Sequence, residues 1–552
     1  AVADAASGDA ADMKVTDATS RDAAATDAGG ADGGDAHLPG VMNKLAVAGV
    51  VQLAGSGPDT CTNQVPATTD RWCAFAKPAA TLGNFELWVI DVTKVAANVT
   101  VKCDTTDANC LRLSTGLYSD PTNGFRVEGF DGDTLTYSEI PTLSANGFIG
   151  AVSAWRPGWT AGRRLTSNAG VTCSGHRAAS AAICIENPVT DANQNTTAEL
   201  HAGLLDTQTG GTLPLVDTLL VFATTDANGV QKWNAKLTPD GASIAWSTRA
   251  TASGTEDLKV QKIGDDASRV SVASDVSQWI VTKDSAEWLW LGGYNYDQGG
   301  APSGTLQSAA FPAGTGVQTI AAAVGDFNEA GPQGVLYRSN VSTNAGKLVL
   351  APDRDAPGTT TTLDQGVFFV FEVSQDGTRA TYTKDVQSLD AGTSTVPIFD
   401  LWLATAGAAA PCALTATATG FLAPQFLSAA DMTAWGRFNM LTGEVEGVYT
   451  TSADCVTRSF ASDVFSWTPI GDEGYVFLDT LSPDPNVNEA TLRYAKVANG
   501  LLPSTGTSIQ ARAGLAFATL LPSLSAVVYT VETGAAGDGL YVDAALPFTT
   551  SP

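Results

Sequence analysis

Two stretches decide the fold of this chain, TPDGASIAWSTRA at residues 238–250 and SQDGTRATYTKDV at residues 374–386. Each begins with a polar turn that contains Asp-Gly, a pair that favours the tight turns between antiparallel strands. In the segment that follows, apolar and polar residues alternate, so that Ile244 and Trp246 share one face. Alternation with a period of two is typical of a half-buried strand. Each stretch therefore predicts a turn that leads into a strand.

The same unit recurs along the chain, as the large apolar residues of its strand show. These anchor residues are Phe75, Tyr137, Ile183, Trp246, Trp290, Tyr337, Tyr382, Trp435, Phe477 and Tyr529. From Trp246 onward the anchors are 42–53 residues apart, and two wider upstream steps indicate surface insertions. A period of about 40–50 residues with several short strands per unit is typical of β-propeller blades. We therefore predict an all-β propeller of about ten four-stranded units, arranged as one large ring or two smaller rings.

The first part of the chain differs in kind from the repeats. Residues 1–40 contain eight Asp among Ala, Gly, Ser and Thr, with few large apolar side chains. Such a segment cannot bury enough surface to offset its chain entropy, so we expect a disordered spacer at 1–40 and a propeller at 41–552. LAVAGVV at 45–51 predicts a lone strand, which either completes the last unit near 525–546 or lies at the edge of the first unit.

Charge and hydropathy exclude several classes of partner. The chain has 57 acidic and 30 basic residues, a formal net charge of −27. Such a field repels phosphate backbones and anionic lipid, so nucleic acid is excluded as a partner. Basic proteins, cations and neutral glycans remain. No uninterrupted apolar segment of ~20 residues is present, so the sequence predicts no transmembrane helix.

The eight cysteines fall into four pairs of near neighbours. The pairs are Cys61 with Cys73, Cys103 with Cys110, Cys173 with Cys184, and Cys412 with Cys455. Eight cysteines allow 105 pairings, but an even count without a CxxC motif favours disulfides over zinc or haem. The last pair is 43 residues apart, close to one repeat, so we expect it to link adjacent units. Together with a start at Ala1 rather than Met, the disulfides predict an exported protein.

The repeats resemble those of a known group of bacterial proteins. TPDGASIAW and SQDGTRATY, each followed by a second strand that contains Asp-Leu, are similar to the TolB-like, or WD-type, propeller repeats of bacterial envelope proteins. The resemblance covers residues 238–406, and the Ala/Asp-rich segment at 1–40 resembles the spacer of bacterial surface lipoproteins. The resemblance implies an envelope propeller that binds a partner, in the periplasm or at the cell surface. It carries over no functional residue, because the shared motif is structural.

The residues for several kinds of catalysis are missing. There are three histidines, His37, His176 and His201, and neither an HExxH nor a GxSxG motif. Zinc protease and α/β-hydrolase chemistry therefore lack their signatures. His176 and His201 remain candidate general bases, and two carboxylates that meet across a ring would suit glycoside hydrolysis. The sequence favours a non-enzymatic role.

Calcium is the one cofactor that the sequence suggests. DFNEAG at 326–331 brings Asp326, Asn328 and Glu329 together, and DGD at 131–133 holds two more carboxylates. Calcium prefers several oxygen ligands, including backbone carbonyls of tight loops. The alternative interpretation of both segments is a polar hairpin turn.

These observations lead to one functional expectation and two alternatives. We expect an exported bacterial propeller, held at the cell surface, outer membrane or periplasm, that acts as a non-catalytic platform for a protein or glycan of the cell envelope. The first alternative is an extracellular polysaccharide-active enzyme with carboxylates along the central channel. The second is a self-assembling subunit of an extracellular filament or surface layer.

Overall fold

The computed structural model describes most of the chain between residues 72 and 543. The described residues are 72–78, 85–91, 103, 108, 110–117, 119–120, 124–125, 127–131, 134–138, 142–144, 147–149, 152–166, 173–176, 181–192, 195–207, 212–222, 234–251, 255–295, 303–342, 345–390, 395–415, 420–427, 432–438, 445–452, 455–462, 464–470, 474–479, 489–496, 507–513, 515–521, 526–531 and 539–543. The expected spacer at 1–40 and the lone strand at 45–51 lie outside them.

Most of these residues lie in strands, and single 3₁₀ turns are at Leu205–Thr207 and Asp266–Ser268. The first strands are β1 (Trp72–Pro78), β2 (Phe85–Asp91), β3 (Cys110–Leu117), β4 (Ser119–Asp120), β5 (Gly124–Phe125), β6 (Val127–Asp131), β7 (Thr134–Ser138), β8 (Thr142–Ser144), β9 (Gly147–Ile149), β10 (Val152–Trp155), β11 (Arg163–Arg164), β12 (Cys173–His176), β13 (Ala181–Thr190), β14 (Asn195–Leu204) and β15 (Leu215–Phe222). The middle strands are β16 (Ala235–Leu237), β17 (Ser243–Arg249), β18 (Glu256–Lys262), β19 (Val270–Ala273), β20 (Val276–Val281), β21 (Glu287–Asn295), β22 (Ser303–Ala310), β23 (Thr315–Ala330), β24 (Gly334–Ser342), β25 (Ala345–Ala351), β26 (Thr361–Val373), β27 (Arg379–Asp390), β28 (Thr395–Thr405) and β29 (Cys412–Ala413). The last strands are β30 (Gly420–Leu427), β31 (Met432–Phe438), β32 (Val445–Ser452), β33 (Thr457–Ser462), β34 (Val464–Ile470), β35 (Gly474–Asp479), β36 (Glu489–Lys496), β37 (Thr507–Ala513), β38 (Leu515–Leu521), β39 (Ala526–Val531) and β40 (Gly539–Asp543).

The strands pair with their neighbours in sequence to form antiparallel four-stranded units. Unit A contains β6, β7, β10 and β11, with the β8–β9 hairpin inserted. Unit B is β12–β15, unit C is β16–β19 and unit G is β30–β33, followed by a sheet of β34–β37. Three-stranded sheets, β1–β3 and β38–β40, lie at the two ends of the described chain.

Between units C and G the strands form one ten-stranded sheet, β20 to β29, in which two long strands each serve two units. In β23, Val324 pairs with Gly304 of β22 and also with Ser339 of β24. In β26, Val367 pairs with β25 on one side and β27 on the other. The sheet therefore divides into three successive units. Unit D ends at Val324, unit E runs from Val324 to Val367, and unit F runs from Val367 to β29.

The core lies between successive units, where the anchor residues pack. Most anchors occupy the second strand of their sheet, and Phe75 lies on β1. The anchors whose burial is described are 6% exposed or less. Between units B and C, for example, Ile183 and Leu200 pack against Ile244 and Trp246. The all-β propeller architecture is confirmed. The exact number of blades, and whether they form one ring or two, stay predictions.

Candidate functional site

Three turns between the first and second strands of their units share one hydrogen-bond network. Thr238, Thr282 and Ser374 each donate a hydroxyl hydrogen bond to the aspartate two residues further on, at 2.5–2.6 Å. The same hydroxyl accepts the backbone N–H five residues further on, at 2.9–3.0 Å. The three aspartates are Asp240, Asp284 and Asp376. This network explains why the turn motif recurs: it closes the turn and satisfies its backbone.

The turn hydrogen bonds hold two of these carboxyl groups in the charged form. The hydroxyl of Thr282 lowers the pKa of Asp284, and the N–H of Ala286 adds to the effect. Burial alone would raise the pKa of Asp376, but hydrogen bonds from Ser374 and Thr378 outweigh it and lower the pKa. Donors to a carboxylate stabilise its ionised form. These residues therefore place fixed negative charge on the surface.

Successive turns also contact one another. Ser285, at φ 56°, occupies the position that glycine holds in the other two turns. Its Oγ accepts the backbone N–H of Asp240 from the preceding unit at 3.1 Å. The backbone N–H of Lys283 in turn donates to both carboxylate oxygens of Glu329 at 3.2 Å. The turns of units C, D and E are therefore linked in sequence.

The last link of this series is a close approach of two backbones. Gly377 has a φ of 73°, and a Cβ at that position would lie 2.4 Å from the carbonyl carbon of Ala330. Gly331 is equally constrained, since its Cβ would lie 2.8 Å from the carbonyl oxygen of Asp376. We call residues 238–241, 282–285, 329–332 and 374–377 the turn ridge. It is a continuous, backbone-locked edge on one face of the propeller.

Two further aspartates connect neighbouring units below the ridge. Asp217 of unit B accepts the indole N–H of Trp246 at 2.9 Å and the ammonium of Lys259 at 3.1 Å, both from unit C. Asp364 of unit E accepts the hydroxyl of Tyr382 at 2.5 Å. The Nζ of Lys384 lies 3.1 Å from the same carboxylate. Trp246 and Tyr382 are thus each held by a carboxylate of the preceding unit, which also pairs with a lysine.

The structure places the predicted calcium ligands in a strand, so their assignment to a tight loop was wrong. Asp326, Asn328 and Glu329 all lie in β23, because this strand continues from unit D into unit E. Asp326 is in a two-pronged ion pair with Arg338. Glu329 accepts the N–H of Lys283. Within the described residues, no group of three or more His, Cys, Asp and Glu side chains is arranged to hold a metal. The calcium assignment itself stays a prediction, as does that of DGD, where residues 132–133 lie outside the described residues.

An unforeseen carboxyl pair lies on the side of unit B that faces unit A. Glu186 of β13 and Glu199 of β14 are directly opposite each other in the antiparallel register. Glu186 is 1% exposed, and its Oε1 has no hydrogen-bond partner among the described residues. Glu199 is more accessible and accepts the side-chain N–H of Asn187 at 2.8 Å. Burial raises the pKa of Glu186, an effect that Glu199 reinforces and that His201 and Arg164 oppose.

His201 joins this pair through its second ring nitrogen. Its Nδ1 lies 2.7 Å from the carbonyl oxygen of Leu213, and since a carbonyl only accepts, Nδ1 carries a hydrogen. Its Nε2 lies 3.3 Å from Oε2 of Glu199. Glu186 and His201 are buried beside Glu199, whose side chain is 44% exposed.

Three of the predicted disulfides are confirmed, and they link Cys103 to Cys110, Cys173 to Cys184, and Cys412 to Cys455. The last joins unit F to unit G, as the repeat spacing predicted. Cys73 is also disulfide-bonded. Cys61 and His37 lie outside the described residues, and His176 is at the end of β12.

Sequence reasoning missed the carboxyl pair, although a signal for it exists. Glu186 and Glu199 flank the polar segment DANQ at 191–194, and folding the chain back there brings them together. For Asp217 and Asp364 no such signal exists. They precede their aromatic partners by 29 and 18 residues, so no common spacing marks them.

Comparisons with known proteins found similarities among solved structures. No protein-family model and no curated protein matches the chain. It is similar to the solved structure of a eukaryotic initiation factor (11% identity, TM-score 0.43, covering 80% of this chain and 95% of that one). It is also similar to the β-propeller domain of the trilobed protease from Pyrococcus furiosus (10% identity, TM-score 0.30, covering 62% of this chain and 95% of that one). A third similar structure is that of a putative TolB from Agrobacterium tumefaciens (12% identity, TM-score 0.26, covering 42% of this chain and 82% of that one). The expected TolB-like resemblance is thus matched among solved structures. At these identities the likeness concerns the fold alone.

No helix among the described residues is long and apolar enough to cross a membrane.

Proposed function

We propose that this protein is an exported bacterial β-propeller that acts as a non-catalytic binding platform, with the turn ridge as its docking face. The observation that carries the proposal is the locking of successive turns to one another across four units. A face with a fixed backbone binds a partner without a large ordering cost. Residues 1–40 would then tether the propeller at the cell surface or in the periplasm.

The disulfides support export. Three are described, one of them ties two units together, and no described cysteine is free. Stable structural disulfides are common in exported proteins and rare in the reducing cytoplasm.

The charge of the ridge suggests the chemistry of the partner. Asp240, Asp284 and Asp376 are exposed along the ridge, and the chain as a whole has a net charge of −27. Opposite charge steers association and suppresses partners of like charge. The best match is the basic surface of an envelope protein.

The described carboxyl pair gives no support to a polysaccharide-active enzyme. Glycoside hydrolysis needs two carboxyl groups on either side of a substrate bond. Glu186 is 1% exposed and lies between two units, where a sugar chain has no access to it. The pair therefore does not supply the channel carboxylates that this alternative requires.

A charge change on the ridge tests the proposal, with the same change elsewhere as control. Gln375 is an exposed residue of the ridge, and Gln365 is an exposed residue on the outer strand of unit E. Wild type, Gln375→Arg and Gln365→Arg would each be immobilised and incubated with an envelope extract of the source cells. Bound proteins would be identified by mass spectrometry.

We expect a basic envelope protein that wild type and Gln365→Arg retain and that Gln375→Arg loses by about tenfold. Equal retention by both variants would remove the ridge as the docking face. Cleavage of envelope polysaccharide by the wild type would replace the platform with the enzyme alternative.

A further inference from the structure

The hairpin of β22 and β23 in unit D has an unusual composition. Residues 298–325 contain no Asp, Glu, Lys or Arg, although charged residues make up 16% of the chain. Most other described outer strands carry a charge within the strand or directly beside it. These charges are Arg112 in β3, Arg163 in β11, Asp217 in β15, Arg269 before β19, Asp364 in β26, Arg458 in β33 and Arg512 in β37.

Charges on outer strands have a known physical role. An outer strand presents unpaired backbone N–H and C=O groups, and a charged side chain discourages another strand from adding there. The outer strand of unit D lacks this protection. It is also longer than the two-residue β29, the other outer strand without a charge among the described residues.

Among the residues that the structure describes, the outer strand of unit D is paired on one side and unpaired on the other. Among the described residues, the segment Thr315–Ala322 pairs with β22 alone. Ile320 and Val324 anchor it, since both are buried in the core of units D and E. Residues 315–319 are all exposed, and Val317 is 53% exposed.

A bend in β23 separates the edge Thr315–Ala322 from the strands of unit E. Ala323 has a φ of 54°, and after it β23 changes partner from β22 to β24. The edge from Thr315 to Ala322 therefore ends at a bend and does not continue into the pairing of unit E.

We propose that this edge pairs with the same edge of a second copy of this chain. Two copies that each carry a net charge of −27 repel one another over most of their surface. The charge-free edge is where they approach at the lowest electrostatic cost. A partner of another kind with a charged strand would be expected to meet complementary charge, and this edge has none.

Antiparallel pairing about a twofold axis satisfies the geometry. In such an arrangement the same patch serves both copies, so one edge complements itself. With the axis at residue 318, Val317 of one copy faces Thr319 of the other, and both residues are β-branched, which favours pairing. A single pair of strands buries little surface, so the association is weak and depends on concentration.

Analytical ultracentrifugation of the full chain over a wide concentration range tests this proposal. The key variant is Val317→Lys, and the control is Val456→Lys, since Val456 is 50% exposed and lies in unit G. Either lysine lowers the net negative charge and so reduces the general repulsion between copies. Thermal unfolding of each variant checks that it is folded.

We expect wild type and Val456→Lys to dimerise, more strongly at higher salt because salt screens repulsion. Val317→Lys should weaken the dimer at least tenfold, although its lower net negative charge would by itself favour association. A wild type that stays monomeric at every concentration and salt overturns the proposal. So does a dimer that both variants affect equally.

Discussion

Asp364 and Glu186 are both carboxyl groups at the boundary between units, but their surroundings differ. The side chain of Asp364 is 12% exposed, receives the hydroxyl of Tyr382 and pairs with Lys384. Glu186 is more deeply buried and has an oxygen with no partner among the described residues. Burial of a charge is costly unless it is paired, so the pairing of Asp364 offsets the cost of its charge, whereas burial disfavours the charged form of Glu186 and raises its pKa.

The carboxylate contact at Asp364 is repeated in the molecule, whereas the surroundings of Glu186 are not. The arrangement at Asp364 recurs at Asp217, where an anchor aromatic and a lysine of the next unit again meet one carboxylate. Glu186 has no such counterpart among the described units. A carboxyl group that belongs to the repeat holds neighbouring units together, whereas Glu186 lowers stability when it ionises. Replacing each carboxyl group by its amide should therefore have opposite effects.

The largest effect is expected for Asp364→Asn. This change leaves the partly buried ammonium of Lys384 without a counter-charge, which should cost about 2 kcal/mol of unfolding free energy. Urea denaturation at neutral pH measures it. Asp355→Asn makes the same change at an exposed site and should stay within about 0.5 kcal/mol of wild type. Equal effects of the two changes would show that the ion pair stabilises nothing.

A smaller effect of opposite sign is expected for Glu186→Gln. Because burial raises the pKa of Glu186, its contribution to stability is present below its unfolded pKa and is lost as pH rises through the folded value. Glutamine mimics the neutral acid at every pH. The variant should match wild type near pH 4 and be more stable by roughly 1 kcal/mol at pH 8. Thermal unfolding across this range measures it, and parallel curves for the two proteins would contradict the assignment.

The smallest effect is expected for the exposed turn carboxylate, in Asp376→Asn. The amide oxygen still accepts the N–H of Thr378, so the change should cost only about 0.5 kcal/mol at neutral pH. Because the pKa of Asp376 is lowered, its contribution is present above the unfolded pKa and is lost as pH falls through the folded value. Urea denaturation at pH 7 and at about pH 3 should show the cost disappearing at the lower pH. Asp284→Asn should behave alike, and a cost that is independent of pH would exclude the charge as its source.

The repeat was readable from the sequence because its parts are local. Turn, strand and anchor follow one another within about ten residues, as in TPDGASIAW, and the cysteine pairs are near neighbours or one repeat apart. The contacts between the carboxylates and the anchor aromatics could not be predicted from such local patterns. Asp364 and Tyr382 meet through packing between units, which no short motif records.

The segment DFNEAG shows how a local signal can mislead. Its polar residues and Gly331 suggested a loop with calcium ligands, yet Asp326 to Ala330 pair in register with β24. Val324, two residues before Asp326, pairs with both β22 and β24, because β23 passes from one unit into the next. The sequence prediction treated each repeat as a separate set of strands, so it could not identify a strand that two units share.

The state of the cysteines in native cells tests most directly whether this propeller is exported with its units tied together. Cells would be treated with an alkylating reagent before lysis, and the purified protein would be digested without reduction. We predict no alkylated cysteine and a peptide pair that links Cys412 to Cys455, whose 43-residue separation implies a stabilisation of about 4 kcal/mol in the chain-entropy model. Alkylation at all the cysteines would contradict the account, because it would place the protein in a reducing compartment.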